Sequence, residues 1–320
     1  MKNMIDIRKT CLVLMVASLG ALQSWSSHAQ TIKAPEVPEI GDKGYHVQGY
    51  GDGAYWVTDG LYNSLFLVSD EGVIVVDAPW TFADKLQDAI REVTDQPVKI
   101  FIYSHYHNDH TFGSGMFGDD VVRIGHELTA EELRRKNDPN RPVPTVTFKD
   151  TYTVTLGNQT VELSYRGLNH TPGNTYIYLP KQKVLMLVDV LYPGWVPFRD
   201  FAVAASTAGF YDAFDQAATF DFNFIQGGHV ARPGNRQDFD TAREYVLDVQ
   251  KAAGQVLQMT KYPLETNPTN ENYVPYITWM NAAIFACTQI ITEKWQGKLN
   301  AVSLFTESHC WRAIIDGQID

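Results

Sequence analysis

His105-Tyr106-His107-Asn108-Asp109-His110 packs three imidazoles and a carboxylate into six residues, directly after the apolar run from Lys99 to Ser104. Burying that many polar rings without a common partner is costly, so the cluster points to a divalent cation. Alternate residues of an extended segment project the same way, which lets His105 and His107 grip one ion while Asp109 and His110, past the turn, face a second. Imidazole and carboxylate suit zinc in four- or five-coordinate shells that leave a position for water. Two such shells need further donors. His170 lies in Gly167-Leu168-Asn169-His170-Thr171-Pro172-Gly173-Asn174, Asp189 closes the run Val184 to Val188, and His229 follows Gly227-Gly228, where missing side chains let the backbone come close.

The elements that carry these groups share one design. Val73 to Val76 ends in Asp77, Ile100 to Tyr103 leads into Ser104-His105, Val184 to Val188 ends in Asp189, and Phe222 to Ile225 leads into Gly227-Gly228-His229. Each reads as a buried strand with a polar residue at its C-terminal end, the edge where open α/β sheets build sites. Further strands are expected at Gly53 to Thr58, Asn63 to Ser69, Val121 to Gly125, Thr151 to Leu156, Thr160 to Arg166 and Thr175 to Leu179. Helices are expected at Thr81 to Thr94, Glu127 to Asn137, Phe210 to Thr219 and Gln237 to Leu257, with another apolar helical face from Ile277 to Ile291. Strand pairs alternate with helices instead of forming a uniform βαβ series, which predicts two packed sheets clad by helices. His126 reads as a helix cap, and His309 lacks ligand-like spacing.

Residues 1–29 read as a secretory signal: Lys2, Arg8 and Lys9 form a basic start, Cys11 to Leu22 an apolar stretch, and Ser27-His28-Ala29 a small-x-small cleavage site before Gln30. The product is therefore expected in the periplasm or outside the cell, and no other segment approaches the ~20 apolar residues of a membrane span. Removing the signal takes three basic residues and one acidic one from a chain of net charge −11, leaving −13, a poor surface for nucleic acid. Residues 30–260 are read as one catalytic domain. Residues 261–320 follow a Pro- and Asn-rich connector (Pro263, Asn267, Pro268, Asn270) and are read as a helical segment that caps the pocket or forms a homodimer contact. Cys287 and Cys310 either pair in an oxidising compartment or stay as two buried thiols.

HxHxDH, a His in a His-Thr-x-Gly context, an Asp and a late His occur here in order, and from Tyr55 to Val230 the chain resembles the metallo-β-lactamase superfamily. The resemblance implies an α/β fold, the αβ/βα four-layer sandwich, with the site on one rim. It implies that His105, His107 and His170 hold one zinc, that Asp109, His110 and His229 hold the other, and that Asp189 bridges. Iron or manganese are alternatives to the two Zn2+. Asp77 matches the early Asp that supports the metal loop without binding metal.

A bridging Asp looks more like glyoxalase II, the quorum-signal lactonases and the phosphodiesterase branches than like true β-lactamases. The expected reaction is hydrolysis of an ester, lactone or thioester, with Asp109 orienting the attacking water and accepting its proton. The acidic surface argues against polyanionic phosphodiesters. Tyr106, Phe112, Trp80, Trp195 and Phe198 are expected to line an apolar pocket for a hydrophobic or aromatic small molecule, with Asn174 near the carbonyl oxygen. Three alternatives compete: β-lactam opening, a one-iron enzyme that oxidises persulfides on the same fold, and an exported zinc carrier.

Overall fold

The computed structural model describes residues 32–230, 232–260 and 273–319; the expected signal segment, its cleavage point and the Pro- and Asn-rich connector lie outside the described residues. A seven-stranded sheet forms first: β1 (His46–Gly51), β2 (Ala54–Thr58), β3 (Asn63–Val68), β4 (Val73–Val76), β5 (Val98–Ile102), β6 (Val122–His126) and β7 (Val146–Phe148), side by side in that order. Neighbours from β1 to β4 are antiparallel, and those from β4 to β7 are parallel. β4 is Val-Ile-Val-Val and buried at every position, as a strand covered on both faces must be. Its outer cover includes α1 (Ala83–Arg91), and the loops beyond β5 and β6 carry α2 (Asn108–Thr111) and α3 (Glu127–Lys136). His126 caps α3, its Nδ1 accepting from the Leu128 amide.

The second sheet is built from β8 (Thr151–Leu156), β9 (Gln159–Ser164), β10 (Tyr176–Leu179), β11 (Val184–Met186), β12 (Phe224–Gln226) and β13 (Gly234–Asn235), in spatial order β13-β12-β11-β10-β9-β8. Between the sheets lies one apolar layer in which Leu65, Ile74, Val76 and Ile102 meet Val161, Ile177, Leu179 and Met186. The second sheet's outer face is covered by α5 (Thr207–Ala218) and α6 (Arg236–Met259), against which α7 (Tyr273–Trp295) and α8 (Val302–Ile319) pack, after α4 (Arg199–Val203). The layers run helix, sheet, sheet, helix, which is the expected αβ/βα sandwich.

Three differences from the sequence reading concern the C-terminal half. α7 is long and apolar enough to cross a membrane by length and composition, which the sequence reading did not register. In this fold it lies beside α6 and α8 and buries Met280, Ala283, Ile284, Cys287 and Ile291 in their shared core. α8 was not expected as a separate helix, and Cys310 within it is joined to Cys287 of α7 by a disulfide. α4 is not an ordinary helix: Asp200, Phe201, Ala202 and Val203 all have φ between 54° and 58°, a left-handed turn without a single glycine. Left-handed backbone costs L-residues roughly 1–2 kcal/mol each, so this turn persists only because its surroundings hold it.

Candidate metal centre

Four loops at one rim of the sandwich converge. β5 runs through Tyr103 and Ser104 into His105, and His107 precedes α2, which carries Asp109 and His110. α2 is fixed by backbone bonds from the loop after β4, with the Ala78 amide donating to the His110 carbonyl and the Trp80 amide to that of Asp109. His170 comes from the loop between β9 and β10, Asp189 follows β11, and His229 follows β12. Gly228 is required by the close approach: a Cβ there would lie 2.5 Å from His110 Cε1.

The seven side chains form two groups of four donor atoms that share Asp189. One group is His105, His107, His170 and Asp189; the other is Asp109, His110, His229 and Asp189. His170 Nε2 lies 3.1 Å from His107 Nδ1 and 3.1 Å from Asp189 Oδ2, with His105 Nε2 3.7 Å from the same oxygen. In the other group His110 Nε2 and His229 Nε2 are 3.1 Å apart, each 3.2 Å from Asp189 Oδ1 and 3.5 and 3.6 Å from Asp109 Oδ2. A tetrahedral ion with ligands near 2.0–2.1 Å sets its donors about 3.3 Å apart, so both clusters have the dimensions of a coordination shell. His105 Nε2 is fully buried with no hydrogen-bond partner, a costly arrangement unless a cation fills it. Each group therefore fits a divalent metal ion.

Electrostatics among the side chains differ between the two groups. Burial, reinforced by the neighbouring imidazoles, pushes His105 well below the usual histidine range and His107 down to about 4, so both keep free lone pairs at neutral pH. Burial would lower His110 too, but the carboxylates of Asp189 and Asp109 outweigh it and raise it to about 9. Burial would raise Asp189, yet His110, His229 and His170 hold it well below the carboxylate range. Behind them, Asp77 accepts the Ser104 amide at 2.9 Å and thereby ties β4 to the metal loop; burial lifts its carboxyl to about 6.

A cavity of about 530 Å³ opens onto His107, Asp109, His170, Asp189 and His229. Trp195 and Phe198 line it as expected. Tyr106, Phe112 and Asn174, also expected there, lie outside its lining. Tyr106 and Phe112 pack instead on the core outside the first sheet. Asn174 is fully buried, its Nδ2 donating to Asn169 Oδ1 at 2.9 Å and to the Val188 carbonyl at 3.1 Å, so its amide braces the His170 loop and the strand before Asp189. Trp80 also stays out of the lining.

Two residues were missed, Tyr62 and Asn63, whereas Tyr192 belongs to the stretch Tyr192 to Phe198 that the sequence aims at an apolar pocket. Tyr192 lines the cavity, three positions after Asp189. Tyr62, in the β2–β3 hairpin, packs on His229 at 4.5 Å and places its hydroxyl 3.5 Å from Asp109 Oδ2. Asn63 donates to the carbonyls of Gly227, His229 and Val230 and so anchors the His229 loop. Nothing local marks Tyr62 or Asn63, since their partners Asp109, Gly227, His229 and Val230 lie 47 or more residues away.

Comparisons with known proteins agree with this geometry. The 2,4-dinitroanisole O-demethylase subunit alpha of Nocardioides sp. (strain JS1661) is 34% identical over 148 residues, 44% of this chain and 45% of that protein. A metallo-beta-lactamase type 2 of Bacillus cereus is 27% identical over 127 residues, 38% of this chain and 48% of that enzyme. The chain thus matches about half the length of these curated relatives. Among solved structures, the metallo-beta-lactamase from Pontibacter korlensis superposes with a TM-score of 0.55 at 20% identity, over 63% of this chain and 99% of that one, a likeness of fold. The model of the metallo-beta-lactamase superfamily matches residues 57–229, more than half of the sequence and the span from the end of the second strand to His229, and the chain belongs to that superfamily.

Proposed function

We propose that this protein is an exported metallohydrolase that cleaves an ester, lactone or thioester of an apolar substrate at a pair of divalent cations, for which zinc suits the donor set. The observation that carries the proposal is the split of the Asp189 carboxylate, with Oδ2 turned to His170 and Oδ1 to His110 and His229. A carboxylate so divided links two donor groups, as a hydrolytic site needs and a closed storage site does not. Export is supported by the basic-then-apolar start of the sequence and by the Cys287–Cys310 disulfide, which persists in an oxidising compartment.

Bound in these two groups, the cations would polarise the substrate oxygen and make water nucleophilic near neutral pH. The chain's own residues supply the rest. Asp109, one-third exposed to the cavity, is placed to orient the attacking water and to take its proton. Tyr62 and Tyr192 keep their phenolic protons, since burial raises Tyr62 to about 12 and holds Tyr192 well above the ordinary tyrosine value, and their hydroxyls can donate to a developing oxyanion. The apolar walls bind hydrocarbon and exclude bulk water.

A second reading is favoured by one observation. The Nocardioides relative carries the name of a demethylase acting on 2,4-dinitroanisole, an aryl methyl ether. Both readings are tested by assaying zinc-, manganese- and iron-loaded protein on aryl esters, lactones, thioesters, a cephalosporin and 2,4-dinitroanisole, with Asp109→Asn as control. Turnover of esters, lactones or thioesters that chelation abolishes is the expected result. Turnover confined to the ether or the cephalosporin, or full activity in Asp109→Asn, would overturn it.

A further inference from the structure

Helix α8 touches the cavity with one side chain, Phe305, yet it bonds to the start of the left-handed turn and to the residues on either side of it, the adjoining stretch of wall. The Asp200 amide donates to Ser308 Oγ at 2.9 Å, His309 Nε2 lies 3.1 Å from the Phe198 carbonyl, and Arg312 donates to the Ala204 carbonyl at 2.6 Å. Phe201, inside the turn, stacks on the His309 ring at 4.6 Å and 11°. His309 is itself fixed by Tyr245 of α6, whose hydroxyl lies 2.8 Å from Nδ1. A neutral imidazole has one donor and one acceptor nitrogen; donating to Phe198 leaves Nδ1 to accept from Tyr245. The disulfide to α7 then anchors α8 at the neighbouring position, Cys310.

What the clamp holds is an apolar lip. Phe198 packs edge-on against Phe305 at 5.1 Å, and Phe198, Val203 and, across the mouth, Leu61 are each more than half exposed. Large exposed side chains gathered at one opening mark a place where apolar ligand is bound. Backbone held in a sparsely populated region at such a place is itself a pointer to function.

We infer that α8 is the positioning element of the substrate pocket, holding the left-handed turn Asp200–Val203 so that Phe198, Val203 and Phe305 form a wall selecting substrates with a long alkyl or aryl group. Ser308 and Arg312 act through the turn as positioning residues; Phe198, Val203 and Phe305 determine specificity by contact. The inference rests on the hydrolase reading for its substrate bond, but the wall exists whatever the chemistry.

The test uses the full chain loaded with zinc, as the parent, Phe305→Ala, Ser308→Ala and the double variant Ser308→Ala/Arg312→Met. Binding of the neutral fluorophore N-phenyl-1-naphthylamine needs no turnover, and its Kd should rise about tenfold in Phe305→Ala and severalfold in the clamp variants. With 4-nitrophenyl octanoate and acetate, the octanoate-to-acetate ratio of kcat/KM should fall about tenfold through KM, whereas merely loosened folding would lower kcat on both. Should the double variant lose its far-UV spectrum, Phe305→Ala and Ser308→Ala decide. Unchanged fluorophore binding in both overturns the wall, even if esters are cleaved. If no ester is cleaved the hydrolase reading fails, and fluorophore binding alone then upholds or overturns the wall.

Discussion

Gly228 sits so close to Asp189 that a methyl group on its α-carbon would lie 3.0 Å from Oδ1, the oxygen shared with His110 and His229. The same methyl would meet Val188 Cγ1 and His110 Cε1 at 2.5 Å, distances no Cβ tolerates. Gly228→Ala should therefore displace the donors of the second group while leaving His105, His107 and His170 together. Metal analysis by mass spectrometry should find about half the parent's zinc in a folded variant. Full metal content would show that the loop yields without disturbing Asp189.

Asn63 holds the same loop from the other side. It is fully buried, it receives the Trp56 indole N–H at 2.8 Å, and its amide reaches three carbonyls around His229. Asn63→Leu leaves those buried groups unpaired, which should cost about 2–3 kcal/mol of stability in urea titrations. Because the loop carries a ligand, affinity for the second metal should fall about tenfold as well. A variant with weakened stability and parental metal affinity would separate the two roles.

His105, Asp189 and His229 were legible because each comes just after a buried strand, and strand ends meet at one rim; His170 was legible from its loop motif instead. The bracing part of Asn174 was not legible because a polar side chain beside His170 serves the chain's own carbonyls as readily as a substrate's. α8 escaped notice because Val302, His309, Cys310 and Ile314 are buried among Ser, Thr and Gly positions that blur its apolar stripe. The left-handed turn has no local signature, for Arg199-Asp200-Phe201-Ala202-Val203 contains neither Gly nor Asn and takes its shape from α8.

The Cys287–Cys310 disulfide closes a loop across a sequence separation of 23 residues and joins two helices of one core. Loop-closure entropy makes such a crosslink worth about 3 kcal/mol. Cys287→Ala/Cys310→Ala should lower the urea midpoint accordingly, and adding reductant should bring the parent down to the variant while leaving the variant unmoved. A parent insensitive to reductant, with the variant equally stable, would remove the crosslink from the stability of this half of the fold.

His309 makes acid sensitivity a property of the C-terminal clamp. Burial pushes this imidazole down to about 4, against an ordinary value of 6.5, despite backbone hydrogen bonds that pull the other way. A depressed histidine contributes its full share of stability above the unfolded value, where both states are neutral. As pH falls from about 6.5 toward 4 the unfolded chain takes up a proton that the folded one refuses, and up to about 3 kcal/mol is lost. Urea midpoints of chelator-treated parent and His309→Gln, compared at pH 7 and pH 4.5, isolate this contribution, since the metal-binding histidines are common to both. The parent should lose more stability over that interval than the variant. Parallel losses would mean that His309 is protonated as easily inside the fold as outside it.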